Sequence, residues 1–349
     1  MTSDRRSQLV ARPGARFECF SDGLCCSDIH ALGPLSKKEV RQMRALVKNS
    51  VIHQENVDAP CMRPGENGQC AQREDGLCGV HKHHGHAAKP EGCRRFPYGL
   101  LATPDGARVT TEHRCPCRTL GDRRPLNLKE ARRSLSDEKG NLEVDRVAPE
   151  EVPISAGALM PFDEYRKHEK ELIRRLLAGE RAEDVLAAEV LPPLAEDAWP
   201  NLAVGFYDMD DQSAGGIGLS WFGDALLHLH SGHTPPKRPR PWEWSFDKAI
   251  ARSTKRDDPE KVINDWIADE LWMMRWNSWD CTFDVGRAEL ATRLAAVRYM
   301  AELIRARRVR ADQAVAEAIM AAEISAASEH WSDIVGYIAN DPSPAQPLP

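Results

Sequence analysis

Nine of the ten cysteines lie before residue 118, at positions 19, 25, 26, 61, 70, 78, 93, 115 and 117, and only Cys281 lies beyond. This crowding constrains the chain more than any other feature. The N-terminus, MTSDRRSQLVARPGARF, is polar and arginine-rich and lacks the apolar stretch of a secretory signal. The expectation is therefore a cytoplasmic protein. Disulfides are rare in that compartment, so dense cysteine there points to metal thiolates or redox chemistry. Residues 16–125 are also rich in Gly, Pro and His. They hold too little apolar surface to fold on a hydrophobic core alone, and a metal site would supply the missing constraint.

Thiolates suit zinc and iron–sulfur clusters because both accept soft, negatively charged sulfur. Zinc ribbons and fingers bring their ligands as two C-x2-4-C knuckles. This chain offers instead Cys19-x5-Cys25-Cys26, Cys70-x7-Cys78-x14-Cys93 and Cys115-Pro-Cys117. The short spacings of ferredoxins are absent as well. Successive side chains diverge, so the adjacent pair Cys25-Cys26 seldom gives two ligands to one zinc.

The rest of the chain reads as mainly α. A capping box, Ser36 with Glu39, opens a helix striped by Val40, Met43, Leu46 and Val47. A small hairpin is expected over 98–103 and 107–111, around Pro104-Asp105-Gly106. The segment 126–160, with its charge clusters and prolines, reads as a connector. Helical periodicity then governs 162–178, 182–191, 258–278, 284–308 and 311–339, with Asp258 as an N-cap. The expected layout is an irregular cysteine-rich metal domain over 1–125, the connector, a helical domain over 161–340 and a disordered tail over 341–349. At 349 residues and 42% hydrophobic, the chain can bury a core of this kind. No run approaches the ~20 apolar residues of a membrane helix, so no membrane partner is expected. Net charge is −6; residues 1–130 hold 21 Lys+Arg against 15 Asp+Glu, and 131–349 hold 26 against 38. No Lys/Arg run is interleaved with aromatics, so no nucleic-acid partner is expected.

Two blocks carry a family resemblance. FECFSDGLCCSDI, followed by the LSKKEV helix, resembles the first motif of the CxxCxxCC family of zinc- or iron-chelating proteins. CAQREDGLCGVHKHHGHAAKPEGCRRFP is similar to that family's second block, with Cys70, Cys78, Pro90, Cys93, Arg94, Phe96 and Pro97 on its pattern. The likeness extends to one branch, the flagellin lysine-N-methylases, through His113-Arg114-Cys115-Pro116, the helical stretch 171–191 and Ala326-Ala327-Ser328-Glu329-His330. The chain departs from the pattern in three places. Only Cys19, Cys25 and Cys26 stand where the family carries four cysteines. The arginine before Glu329-His330 is missing, and Trp331 replaces the serine after it.

The resemblance implies a 4Fe–4S cluster, with zinc as the alternative, on ligands drawn from Cys19, Cys25, Cys26, Cys70, Cys78, Cys93 and Cys115. It further implies S-adenosylmethionine-dependent N-methylation of lysines exposed on a partner protein. A neutral amine attacks a sulfonium methyl without further activation, so such an enzyme must desolvate, deprotonate and align it. Glu329 and His330 are the candidate proton acceptors, and Arg94 and Arg95 the candidate cofactor-binding cations. A non-catalytic zinc- or iron-binding module and an electron-transfer protein are the other readings.

Three further features are read as structural. The tract His81-Lys82-His83-His84-Gly85-His86 reads as a solvated loop. Ser213-Ala214-Gly215-Gly216-Ile217-Gly218 does not match G-x-G-x-x-G and reads as an ordinary loop. Trp266, Trp272, Trp276 and Trp279 read as core.

Overall fold

The structure is a computed structural model and describes residues 8–19, 33–54, 58–65, 70–75, 77–137, 139–194, 198–207, 213–252 and 258–340. Strand β1 (Leu9–Ala11) comes first. Helix α1 (Lys37–Leu46), the antiparallel pair β2 (Val51–Gln54) and β3 (Ala59–Met62), the short pair β4 (Arg73–Glu74) and β5 (Leu77–Cys78), and α2 (Gly79–His84) follow. Next come α3 (Glu91–Arg95), β6 (Tyr98–Thr103), β7 (Gly106–Thr111), α4 (Pro116–Thr119), α5 (Leu128–Leu135) and β8 (Arg146–Val147). The antiparallel pair β9 (Glu151–Ser155) and β10 (Ala158–Pro161) leads into the helical part. That part comprises α6 (Phe162–Leu177), α7 (Ala182–Leu186), α8 (Trp199–Val204), α9 (Ala214–Ser231), α10 (Glu243–Arg252), α11 (Pro259–Met273), α12 (Phe283–Arg305), α13 (Ala311–Ala326) and α14 (Glu329–Asn340). About 54% of the chain is helical, so the protein is mainly α.

The hairpin β6–β7 is the centre of the N-terminal part. Its turn forms at Pro104-Asp105, where the Thr103 hydroxyl donates to Asp105 and bonds the Gly106 carbonyl at 2.8 Å. Gly106 has φ +145, and a Cβ there would lie 3.1 Å from the Gln8 carbonyl, so the close approach of β1 requires glycine. The sheet runs β1-β7-β6-β8, with the outer strands parallel to their neighbours. Both of its faces are covered. Leu100 and its cross-strand partner Val109 pack with Tyr98 against Ala131 and Leu135 of α5. On the other face Leu101 packs into the helical core, and its partner Arg108 points the same way.

The stretch 126–160 is not a plain connector. Residues 128–135 form a helix with an apolar edge, 146–147 extend the sheet, and Val152 and Ile154 alternate inward on β9. These elements are short and embedded in charge, which masks their period. Further differences lie beyond it. Ser213, read as part of a loop, caps α9 by accepting from the Gly216 amide at 3.1 Å. The helix expected over 182–191 stops at Leu186, where Ala187 adopts φ 45. The one expected over 311–339 breaks at 327–328, where the Ser328 hydroxyl accepts from the Trp331 amide at 3.2 Å. The tail 341–349 lies outside the described residues.

The helical core is built on α12 and α13, with α9 and α11 across them. Trp266, Trp272 and Trp276 are buried and Trp279 packs on their edge, as expected of core aromatics.

Candidate metal centre

The cysteines fall at two places in the N-terminal part. The first is the open end of β6–β7, where Tyr98 pairs with Thr111. Phe17 sets its ring edge-on to Tyr98 at 5.3 Å, which brings the chain at Cys19 to this end. Cys115, four residues past Thr111, is buried here with Cys117, and Cys93 stands on α3 just before Tyr98. Burial pushes the Tyr98 hydroxyl well above its usual pKa, and Glu130, Cys19 and Cys115 push the same way.

The second place is the small apolar cluster under α1. Cys70 is buried there with Leu35, Met43, Val51, Met62 and Val80, and Cys78, the residue before α2, packs on its edge. Cys61 is buried against Gly33, where a Cβ would come within 2.6 Å of its sulfur. Cys25 and Cys26 lie outside the described residues.

One carboxylate ties the two places together. Glu39 closes the capping box of α1, accepting from the Ser36 amide at 2.8 Å. Its other oxygen accepts from the Glu91 amide at 2.7 Å, at the start of α3. Burial opposes ionisation, but these backbone and hydroxyl donors outweigh it and hold the Glu39 pKa below the usual carboxylate value. The helix carrying Cys93 is thus pinned to the helix above Cys70.

Arg94 and Arg95 serve this packing. Arg95 bonds Asp145 at 2.6 Å and the Glu143 carbonyl at 3.0 Å, and Arg94 lies 3.9 Å from the Glu143 carboxylate. Arg95 is held by carboxylates, whereas the buried Nε of Arg94 has no hydrogen-bond partner. The histidine tract forms α2 and a turn of 3-10 helix, not a loop, with His83 2.7 Å from Glu74. Burial, with Lys89, His81 and Arg94 nearby, pulls the His86 pKa down to about 4.

Among the described residues no three cysteine sulfurs lie within 4.8 Å of one another. Tetrahedral zinc, with Zn–S of about 2.3 Å, sets its sulfurs only about 3.8 Å apart. A cubane cluster holds its thiolates on the outer corners of a larger body, so they stand farther apart. The donor chemistry of the cysteine set fits a thiolate-bound group.

The one set of potential ligands that does converge among the described residues is His113, Asp265 and Asp269. It is already neutralised. Arg12 bonds Asp269 at 2.6 Å and also pairs with Asp265, while Arg118 pairs with both carboxylates. Burial works against their ionisation, yet Arg118 and Arg12 hold both aspartates below the usual range. A divalent cation would have to displace an arginine from a charge-balanced site, so this group fits no metal. The cluster fastens β1 and α4 to α11. Nearby, Arg108 pairs with Glu169 at 2.7 Å, and Trp272 donates to the Val109 carbonyl at 3.1 Å. A second buried network, Arg293 with Glu270, Glu289 and Glu323, joins α11, α12 and α13.

Glu329 and His330 stand at the start of α14, in the helical part. His330 lies 2.6 Å from the Leu202 carbonyl and edge-on to Phe206 at 4.7 Å, which locks α14 against α8. Glu329 is exposed, and Trp331 is fully buried, donating to Glu289 at 2.7 Å. These contacts pack α14 into the helical core. A cleft of about 340 Å³ between α7, α9 and α12 is lined instead by residues such as His228 and Tyr299, stacked at 3.8 Å.

Comparison with models of known protein families, with curated proteins and with solved structures finds no match for this chain. No described helix is long and apolar enough to cross a membrane.

Proposed function

We propose that this protein is a thiolate metalloprotein whose N-terminal part holds a 4Fe–4S cluster on four sulfurs drawn from Cys19, Cys25, Cys26, Cys70, Cys78, Cys93 and Cys115. The observation that carries this reading is the Glu39 clasp, which pins α3 and its Cys93 to the α1 lobe beside Cys70 and Cys78. Cys19 is exposed and Cys78 and Cys93 are half-buried, so solvent-borne metal can reach them. When bound, the cluster supplies the constraint that the sparse apolar packing of this part lacks. The chain's own residues exclude water from Cys70 and Cys115 and fix the backbone at Cys93.

Methyl transfer from S-adenosylmethionine to protein lysines, which the resemblance implies, is the activity to assay on the loaded protein. In this reading Glu329 and His330 remain the proton acceptors, with Nδ1 of His330 left to take a proton while Nε2 bonds the Leu202 carbonyl.

Anaerobic purification followed by assay of iron, zinc and acid-labile sulfide, with a visible spectrum, tests the proposal. Brown protein with about four iron and four sulfide per chain is expected. Colourless protein with one zinc and no sulfide would overturn the cluster and leave a zinc module. Loaded protein that neither binds S-adenosylmethionine nor methylates a lysine-bearing protein would remove the methylase role alone.

A further inference from the structure

Residues 131–349 are strongly acidic overall, yet two of their segments run against that trend. The loop after α9 reads Thr234-Pro235-Pro236-Lys237-Arg238-Pro239-Arg240-Pro241, and the α12–α13 junction carries Arg305, Arg307, Arg308 and Arg310. The fold brings the two together. Arg307 donates to the Arg238 carbonyl at 2.5 Å and lies over the Trp221 ring at 5.1 Å, while Trp221 donates to the Pro239 carbonyl at 2.9 Å.

Three of the cations are consumed within the fold. Arg238 pairs with Asp224 at 2.7 Å, Arg240 with Glu317 and Asp247, and Arg310 with Asp312. Lys237, Arg305, Arg307 and Arg308 are exposed and form no ion pair among the described residues. Glu302, one turn before Arg305, offsets one of them. The dipole at the C-terminus of α12 accounts for one cation in its last turn, not for four. Four prolines stiffen the loop, and Arg308 turns the chain at φ 66 directly after the helix. The cations are therefore held out on rigid backbone.

We propose that this surface docks a short acidic segment of a partner protein, read by Lys237, Arg305, Arg307 and Arg308. Guanidinium forks match carboxylates in paired hydrogen bonds. The extent of the patch favours a short segment over a nucleic acid. Apart from these four, residues 131–349 hold 22 basic against 38 acidic residues, so a long polyanion would run onto repulsive surface. The aromatic ring at the patch, Trp221, is buried beneath Arg307 and offers no base a stacking face.

The test uses the full chain and a labelled Asp/Glu-rich peptide, with fluorescence anisotropy at low and physiological salt. The peptide is expected to bind, more weakly as salt rises. The variant K237Q/R305Q/R308Q, which leaves Arg307 on Trp221, should lose about tenfold or more in affinity with an unchanged melting temperature. A peptide that does not bind at low salt, or that binds the triple variant equally well, overturns the proposal. So does tighter binding of duplex DNA or of phosphatidylserine vesicles by the same patch.

Discussion

His113 and Asp269 meet across the join between the N-terminal sheet and α11, with the imidazole Nε2 2.9 Å from the carboxylate. Both side chains are almost wholly buried, and the same carboxylate also receives Arg12 and Arg118. The contact spans 156 residues of sequence. Removing Asp269 would leave two buried guanidinium groups to share the single carboxylate of Asp265. Breaking one side of a buried ion pair costs about 3–5 kcal/mol. Asp269→Ala should therefore lower the unfolding free energy by that order in urea denaturation, and a loss below about 1 kcal/mol would show that the network is slack.

The same aspartates predict acid sensitivity. Their carboxyls are held down in the folded chain by Arg118 and Arg12, against burial. A folded pKa below the unfolded value of about 3.9 contributes stability that is present above that pH and is lost as pH falls through the folded value. Unfolding free energy should drop as pH falls below about 4, and the drop should shrink in Asp269→Asn. An unchanged slope in that variant would assign acid unfolding elsewhere.

Glu169 titrates in the opposite sense. Burial pushes its pKa up to about 7, against the pull of Arg108. A carboxyl raised above its unfolded value keeps its proton while the unfolded chain loses one, so its contribution falls as pH rises from about 4.3 toward 7. The stability of the wild type relative to Glu169→Gln should therefore decline across that window, by about 4 kcal/mol at most. A flat difference profile would mean that Glu169 is ionised throughout and fully paired with Arg108.

Glu39 should matter to metal retention without being a ligand. Glu39→Ala removes the acceptor for the amides of Ser36 and Glu91 together, at a cost of about 1–2 kcal/mol. Loosening α3 should make the loaded protein release iron to a chelator faster than wild type. Cys281→Ser is the contrasting variant. That thiol is buried in the helical core, donates to the Trp276 carbonyl at 3.1 Å, and is pushed up to about 12 by burial. Its replacement should leave iron content unchanged, and equal retention in Glu39→Ala and wild type would dissociate the clasp from the metal.

Gly286 is a packing contact that only glycine can make. A Cβ there would stand 2.3 Å from the Cβ of Trp276. Gly286→Ala should cost about 1–3 kcal/mol through overpacking, measured as a lowered melting temperature, whereas a neutral substitution would show that α12 shifts freely.

Local signals were readable along the chain where a few neighbouring residues decide the outcome. Ser36 and Glu39 form the expected capping box, Asp258 caps α11 by accepting from Glu260, and Pro104-Asp105 turns the hairpin. Less legible are elements that are short and embedded in charge, such as 128–135 and 146–147, or whose first turn lacks helix formers. Ser213 opens a helix whose first turn is glycine-rich, so propensity argued against it until Trp221 and Phe222 were buried. The ion networks could not be read at all. Arg12 is one arginine among several in a polar leader, and nothing near it in sequence points to an aspartate 257 residues away. In the candidate centre, residue type and motif singled out the cysteines, but their division between the hairpin end and the α1 cluster depends on tertiary packing.

That separation of 257 residues also sets an order of events during synthesis. At about 5–20 residues per second, Asp269 is made roughly 13–50 s after Arg12. Through that interval β1 and α4 have no α11 to hold their buried arginines. The cysteines, all but one of which are made before residue 118, are already present on the nascent chain. On the proposed reading, metal arriving then would meet the cysteines before α11 is made.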